Sequence, residues 1–317
     1  MALKVDPEFE GMVNMLFRGK RTRPQLAPDD WRTRRATADE FFIAISQALP
    51  VSKPVATTDH VINGYQDELV PVRIYRPVEQ AESGALVIYI HGGGMFCCSL
   101  ATHDRLVQHY VAETNTTFLA VDFRFAPENP FPASVEDIYS ALVWANQHAN
   151  ELGISPDRIA LAGDSAGGGM AAAVSIMTRD RQGPPVALQM LLYPMLDDRN
   201  TIPDPELEAF VPWAYDDNSL GWSLLLGETA GQRGVSPWAS PARETNYSGL
   251  APAYLEVGSL DIFRDETMRY AADLLRAGTP AELHLHNSVT HGYDMLAPQS
   301  AISRRAFSDR YRTIRAL

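Results

Sequence analysis

The chain has 317 residues, 45% of them hydrophobic and 21% charged, which suits one large core with an accessory element or two small domains and excludes disordered, collagen-like and fibrous classes. A formal net charge of −12, with no Lys/Arg-rich run to offset it, excludes nucleic acid as a natural ligand. Cys97 and Cys98, the only cysteines, are adjacent and cannot supply the spaced disulfide framework of a small secreted domain.

Residues 1–50 open the chain outside any alternation of strands and helices. Phe9, Met12, Val13 and Leu16 recur at helical spacing behind Asp6-Pro7, a cap and first-turn pair, and a second helix is expected near residues 29–49. Acidic residues and Pro7 interrupt the N-terminal stretch where a secretory signal would be apolar. Residues 57–76 predict an antiparallel hairpin, with Val61, Ile62 and then Val70, Val72 and Ile74 flanking Asn63-Gly64 and Asp67-Glu68. Strand-length apolar runs follow at 85–90, 117–121, 159–162, 188–193, 254–257 and 283–285. Helical stretches at 103–113, 134–150, 167–179 and 265–277 separate most of them, and Gly278 suits the stop of the last. The longest apolar runs, 85–90 and 186–195, fall short of the roughly 20 residues of a membrane span. The expectation is a soluble, cytoplasmic protein with no membrane partner.

Strands that are apolar throughout and alternate with helices argue for a mostly parallel, doubly wound sheet covered on both faces. The segment from about 197 to 235 leaves this rhythm. It crowds Phe210, Trp213, Tyr215, Leu220 and Trp222 among Pro203, Pro205 and Pro212. These aromatics either glue helices to the body or form a lid over a pocket, in which case Phe210, Trp213 and Trp222 contact substrate.

The chemistry is carried by three motifs and an acid. Gly163-Asp164-Ser165-Ala166-Gly167 follows an apolar strand and precedes a small-residue helix, the setting of a nucleophile elbow. Such a turn admits only small neighbours and lifts the Ser165 hydroxyl to a helix N-terminus. His91-Gly92-Gly93-Gly94 comes directly after the strand at 85–90, and consecutive glycines leave backbone N–H groups unobstructed. The N–H groups of Gly93, Gly94 and Ala166 are therefore the expected oxyanion hole, with His91 bracing the loop. A base must follow the nucleophile in this chain order. His284 and His286 lie within a predicted strand, whereas His291 lies just beyond it, beside Gly292, and is the expected base. Asp261, after the strand at 254–257, is the expected acid that orients it; Asp265 and Glu266 read as first-turn helix residues. His60, His103, His109 and His148 precede Ser165 and are assigned no chemistry. No group of His, Cys and carboxylates has metal-ligand spacing.

In this order and spacing, HGGG at 91, Asp122-Phe-Arg-Phe-Ala-Pro-Glu, Gly163-Asp-Ser-Ala-Gly-Gly, Leu192-Tyr-Pro, Asp261-Ile-Phe-Arg-Asp-Glu and His291-Gly-Tyr resemble the hormone-sensitive-lipase-like family of bacterial esterases. The resemblance runs from about residue 57 to the C-terminus. It implies the α/β-hydrolase fold, with about eight strands in one domain spanning 1–317. It also implies a helical cap formed by 1–50 and about 197–235 on a core of 51–196 and 236–317, hydrolysis of short- to medium-chain acyl esters, and no cofactor. Met95, Phe123, Phe125 and Tyr293 depart from the family's usual pattern without removing a catalytic group. Arg124, Glu128 and the prolines Pro127, Pro130 and Pro132 read as loop bracing, and Cys97-Cys98 as packing behind the oxyanion loop. The expected partner is a small-molecule ester; a homodimer is left open. Amide or formamide hydrolysis on the same scaffold is an alternative, and a non-catalytic receptor is disfavoured because such receptors typically lose the histidine that stands here at 291.

Overall fold

Short apolar runs can satisfy their backbone and bury both faces only inside a covered sheet. In the computed structural model, which describes residues 3–17, 26–78, 84–208 and 212–317, all of the predicted runs join one sheet. Its strands are β1 (Val55–Asn63), β2 (Leu69–Pro77), β3 (Leu86–Ile90), β4 (Thr117–Val121), β5 (Ile159–Asp164), β6 (Leu188–Leu192), β7 (Ala253–Gly258) and β8 (Ala281–His286), in the order β1-β2-β4-β3-β5-β6-β7-β8. The β1–β2 hairpin is antiparallel, with Ile62 opposite Val70, and β2 runs antiparallel to β4. From β4 onward all neighbours are parallel.

The helices are α1 (Pro7–Leu16), α2 (Trp31–Ser46), α3 (Leu100–Thr114), α4 (Ala133–Gln147), α5 (Ala149–Leu152), α6 (Ala166–Asp180), α7 (Pro205–Glu208), α8 (Tyr215–Leu226), α9 (Arg264–Arg276), α10 (Tyr293–Leu296) and α11 (Ala301–Arg315). They cover the two sheet faces, and strand alternation sorts the core accordingly. Leu86, Ile88 and Ile90 of β3 enter one apolar cluster with residues of α4, α6, α8 and α9, whereas Val87 and Tyr89 enter a second with residues of α1, α3 and α11.

Local chemistry accounts for the N-terminal helices. Asp6 Oδ1 accepts the Phe9 N–H at 3.0 Å and Pro7 starts α1; Asp30 Oδ1 accepts the Thr33 N–H at 3.0 Å to start α2. Arg35 of α2 then ties three segments together. Its guanidinium donates to both carboxylate oxygens of Glu128 at 2.8 Å, to the Ala126 carbonyl at 2.9 Å and to the Phe96 carbonyl at 2.5 Å. Arg34 donates to Asp217 of α8 at 3.2 Å. The predicted helix at 134–150 is divided. His148 leaves helical geometry at φ −99°, ψ 17°, and its Nδ1 meets the Trp144 carbonyl at 2.8 Å, so α4 ends and the short α5 begins there.

One polar cluster lies inside the second core. Arg310 of α11 is fully buried and donates to Glu256 of β7, to Asp294 at 2.5 Å and to the Tyr110 hydroxyl at 2.9 Å. Burial opposes ionisation of Glu256, but the Arg310 charge and its hydrogen bonds outweigh it and hold the carboxyl down at about 2. Removing the cation strands two buried carboxylates. Arg310→Met is expected to cost about 3–5 kcal/mol in guanidinium unfolding. The folded pKa of Glu256 is depressed, so its contribution is complete above the ordinary 4.5 and is lost as pH falls from there toward about 2. Wild-type stability should decline through that window, and the slope should be smaller in Arg310→Met; equal slopes would show that the cluster does not carry it.

Candidate active site

The turn between β5 and α6 is built by steric exclusion. A Cβ on Gly163 would lie 2.4 Å from the Gly167 carbonyl carbon, and one on Gly167 would lie 2.0 Å from the Ile90 carbonyl oxygen. Only glycine fits at either place, and between them Ser165 is driven to φ 55°, ψ −122°, a region that side chains avoid. Backbone bonds hold it there. Its N–H donates to the Leu192 carbonyl at 2.8 Å, and its carbonyl accepts from Met195 at 2.9 Å and Gly169 at 3.0 Å. The hydroxyl thus stands at the N-terminus of α6, whose first residue is Ala166. First-turn N–H groups have no partner within a helix.

The loops after β7 and β8 bring the other two groups to it. Gly258, at the end of β7, lies so close to the second loop that a Cβ there would be 2.3 Å from the Val289 carbonyl oxygen. The Leu260 N–H donates to that same carbonyl at 3.0 Å. With the loops coupled in this way, His291 Nδ1 meets Asp261 Oδ2 at 2.8 Å and His291 Nε2 meets the Ser165 hydroxyl at 2.9 Å. An imidazole that donates Nδ1–H to the carboxylate keeps its Nε2 lone pair for the serine proton. Asp261 is fully buried, and its second oxygen accepts the Phe263 N–H at 3.0 Å. The imidazole ring is held edge-on between Tyr193 and Phe263, with centroids 4.9 and 5.1 Å away.

The competing acids lie elsewhere. Asp265 is bonded to Arg264 at 2.6 Å on the surface. Glu266 is buried and accepts the Leu196 N–H at 2.6 Å, the Asp197 N–H at 3.3 Å and the Asn200 side chain at 2.9 Å; burial pushes its carboxyl well above the usual range. His284 pairs with Glu282, and His286 is buried within β8.

Gly93 and Gly94 follow β3 at φ 113° and 58°. Their N–H groups donate to no acceptor among the described residues. The Gly93 carbonyl accepts from Phe96 N–H at 3.1 Å, Cys97 N–H at 3.0 Å and the Cys97 thiol at 3.1 Å. His91 stacks on Phe123 with centroids 4.4 Å apart, and its Nδ1 meets the Gly92 carbonyl at 2.7 Å. Burial, with the neighbouring His103 charge, lowers His91 to about 4, so the ring is neutral at ordinary pH.

Of the residues expected to touch substrate, Trp213 lies over the glycine loop: a Cβ on Gly94 would be 2.4 Å from its ring. Trp222, on α8, is 1% exposed and sits in the same apolar cluster as Met95, Met195 and Leu225. Phe210 lies outside the described residues. Sequence reasoning assigned nothing to Asp164 or His103, yet Asp164 accepts from the Tyr89 hydroxyl at 2.8 Å and the Gly92 N–H at 3.2 Å, with His103 Nε2 at 3.4 Å. The variable place of a five-residue pattern gives no signal for such contacts.

A family model described as alpha/beta hydrolase fold matches residues 87–295. The chain belongs to the α/β-hydrolase family, in its hormone-sensitive-lipase-like branch. Among curated members, "Esterase LipI" of Mycobacterium tuberculosis is 35% identical over 269 residues, covering 82% of this chain and 83% of the relative. "Carboxylic ester hydrolase LipN" of the same organism is 38% identical over 258 residues, covering 79% and 68%. Among solved α/β-hydrolases, "Bacterial Heroin Esterase" superposes with a TM-score of 0.88 at 34% identity, covering 99% of this chain and 98% of that one.

The contact between Gly167 and Ile90 can be tested directly. Gly167→Ala should cost roughly 1–3 kcal/mol in chemical denaturation through overpacking. Gly11→Ala, in α1 with open space around it, should be neutral or stabilising by up to about 1 kcal/mol. Equal effects at the two sites would contradict the steric account.

Proposed function

We propose that this carboxylic-ester hydrolase cleaves short- to medium-chain acyl esters through a Ser165–His291–Asp261 triad and an acyl-enzyme intermediate. The observation that carries the reading is the hydrogen-bond chain from Asp261 through His291 to the Ser165 hydroxyl, 2.8 and 2.9 Å long. Ser165 Oγ attacks the ester carbonyl while His291 Nε2 takes its proton; His291 then passes that proton to the departing alkoxide. Water, deprotonated by the same nitrogen, attacks the acyl-enzyme and releases the acid. Asp261 holds the tautomer that makes this exchange available and stabilises the imidazolium. The N–H groups of Gly93, Gly94 and Ala166 receive the negative charge of each tetrahedral intermediate, in a place where they need not reorient.

Residues 1–50 and about 197–235 form the cap over this site. The ties from Arg34 and Arg35 of α2 to α8 and to the loops after β3 and β4 favour that reading, as does the approach of Trp213 to Gly94. A cap that closes an apolar acyl pocket makes each buried methylene contribute about 0.8 kcal/mol until the pocket is full. Trp213 and Trp222 are the proposed walls.

Ser165→Ala is expected to abolish turnover of chromogenic esters with the fold retained by circular dichroism; residual activity in protein free of wild type would remove Ser165 from the mechanism. Asp261→Asn should reduce kcat by up to about four orders of magnitude, and Asp265→Asn should leave it within a few-fold. The reverse pattern would identify the wrong acid. In an acyl-chain series, kcat/KM should rise over the shortest chains and then fall, and Trp213→Ala should shift the optimum toward longer chains. An unmoved optimum in that variant would mean that Trp213 merely packs the segment.

A further inference from the structure

We infer that Asp164, the residue before the nucleophile, is a positioning residue that aims the oxyanion donors, an inference that rests on the oxyanion hole proposed above. A trans peptide is planar, and its C=O and N–H point in opposite directions, so fixing one carbonyl fixes the next N–H. In the glycine loop the carbonyls of Gly92 and Gly93 are both taken. The Gly92 carbonyl is held by His91 Nδ1 at 2.7 Å, which turns the Gly93 N–H the other way. The Gly93 carbonyl is held by Phe96 and Cys97, which turns the Gly94 N–H the other way. The remaining handle at the root of the loop is the Gly92 N–H, and it donates to Asp164 Oδ1 at 3.2 Å.

The carboxylate is itself fixed. Tyr89 donates to Oδ1 at 2.8 Å and His103 Nε2 to Oδ2 at 3.4 Å, while Thr102 Oγ1 meets His103 Nδ1 at 2.8 Å. Gly92 packs so closely that a Cβ there would lie 2.4 Å from Asp164 Oδ2. Because Asp164 is also joined by its own peptide to Ser165, one residue locks the spacing between the attacking oxygen and the donors that must meet the resulting oxyanion. Errors of about an ångström in such spacing are costly to turnover. Charge is not what the loop requires of this side chain; an acceptor at Oδ1 is.

The test compares matched oxo- and thionoesters of one chromogenic alcohol, since a thiocarbonyl sulfur gains little from hydrogen-bond donors. Wild type should prefer the oxoester strongly. In Asp164→Ala the ratio of kcat/KM values should shrink by about 10- to 100-fold, approaching the loss of one oxyanion donor, with KM changing far less than kcat. Asp164→Asn keeps an oxygen for Gly92 and Tyr89 and should restore the ratio to within about fivefold of wild type. If Asp164→Ala does not fold, Asp164→Ser withdraws the acceptor from Gly92 while keeping a hydroxyl, and should show the same loss. A folded Ala or Ser variant with the wild-type ratio overturns the role of Asp164, as does an Asn variant as impaired as Ala. A wild-type enzyme with no oxoester preference would instead overturn the oxyanion hole itself.

Discussion

The structure depends on one forbidden volume. The backbone of Gly167 lies against the Ile90 carbonyl with room for no side chain, and this contact brings the end of β3 to the start of α6. The elbow at Ser165 and the loop at residues 91–94 are the two chain segments that leave that contact. Their proximity follows from main-chain packing and not from any flexible side chain. The strained φ of Ser165 is offset by three backbone hydrogen bonds, so the unfavourable conformation of one residue is held by the regular structure on both sides.

The same logic extends outward. Glycines at 163, 167 and 258 are places where two backbones meet, and each joins segments that are far apart in sequence. Polar side chains then fix what the close contacts allow. Asp261 reaches His291 across 30 residues and His291 reaches Ser165 across 126. Asp164 reaches Gly92 across 72, and Arg310 reaches Glu256 across 54. Precision at the site is therefore non-local, whereas the framework is assembled from short apolar runs.

That division sets what could be read from the sequence. The central strands were legible because a residue buried on both faces must be apolar whatever it touches, whereas the edge strands β1 and β8 are largely exposed and were read from their alternation and place in the chain. β5 extends two residues further than its apolar run because Gly163 and Asp164 keep the ladder without being hydrophobic. The elbow, the glycine loop, His291 and Asp261 were legible because turn chemistry and chain order constrain them locally. The grip of Asp164 on Gly92, the pairing of His103 with Asp164, the buried Glu266 and the Arg310 cluster were not. Each is a polar pair closed by the fold, and no periodicity in either segment marks it. The break at His148 was missed for a related reason, since Gln147 and Ala149 on either side favour helix and the departure lies in one residue's dihedral angles.

The Arg310 cluster bears on the order of assembly. A ribosome delivers Glu256 and Asp294 before it delivers Arg310, so two acids destined for a dry interior wait without their cation. Asp294 also accepts the Tyr193 hydroxyl at 2.9 Å, and Tyr193 is one of the rings that flank His291. In the fold, Arg310 of α11 donates to that same carboxylate at 2.5 Å, so the cation and the ring share one buried acid. The ring that flanks His291 is thus supported, through Asp294 and Arg310, by the last helix described, which follows Ser165, Asp261 and His291 in the chain.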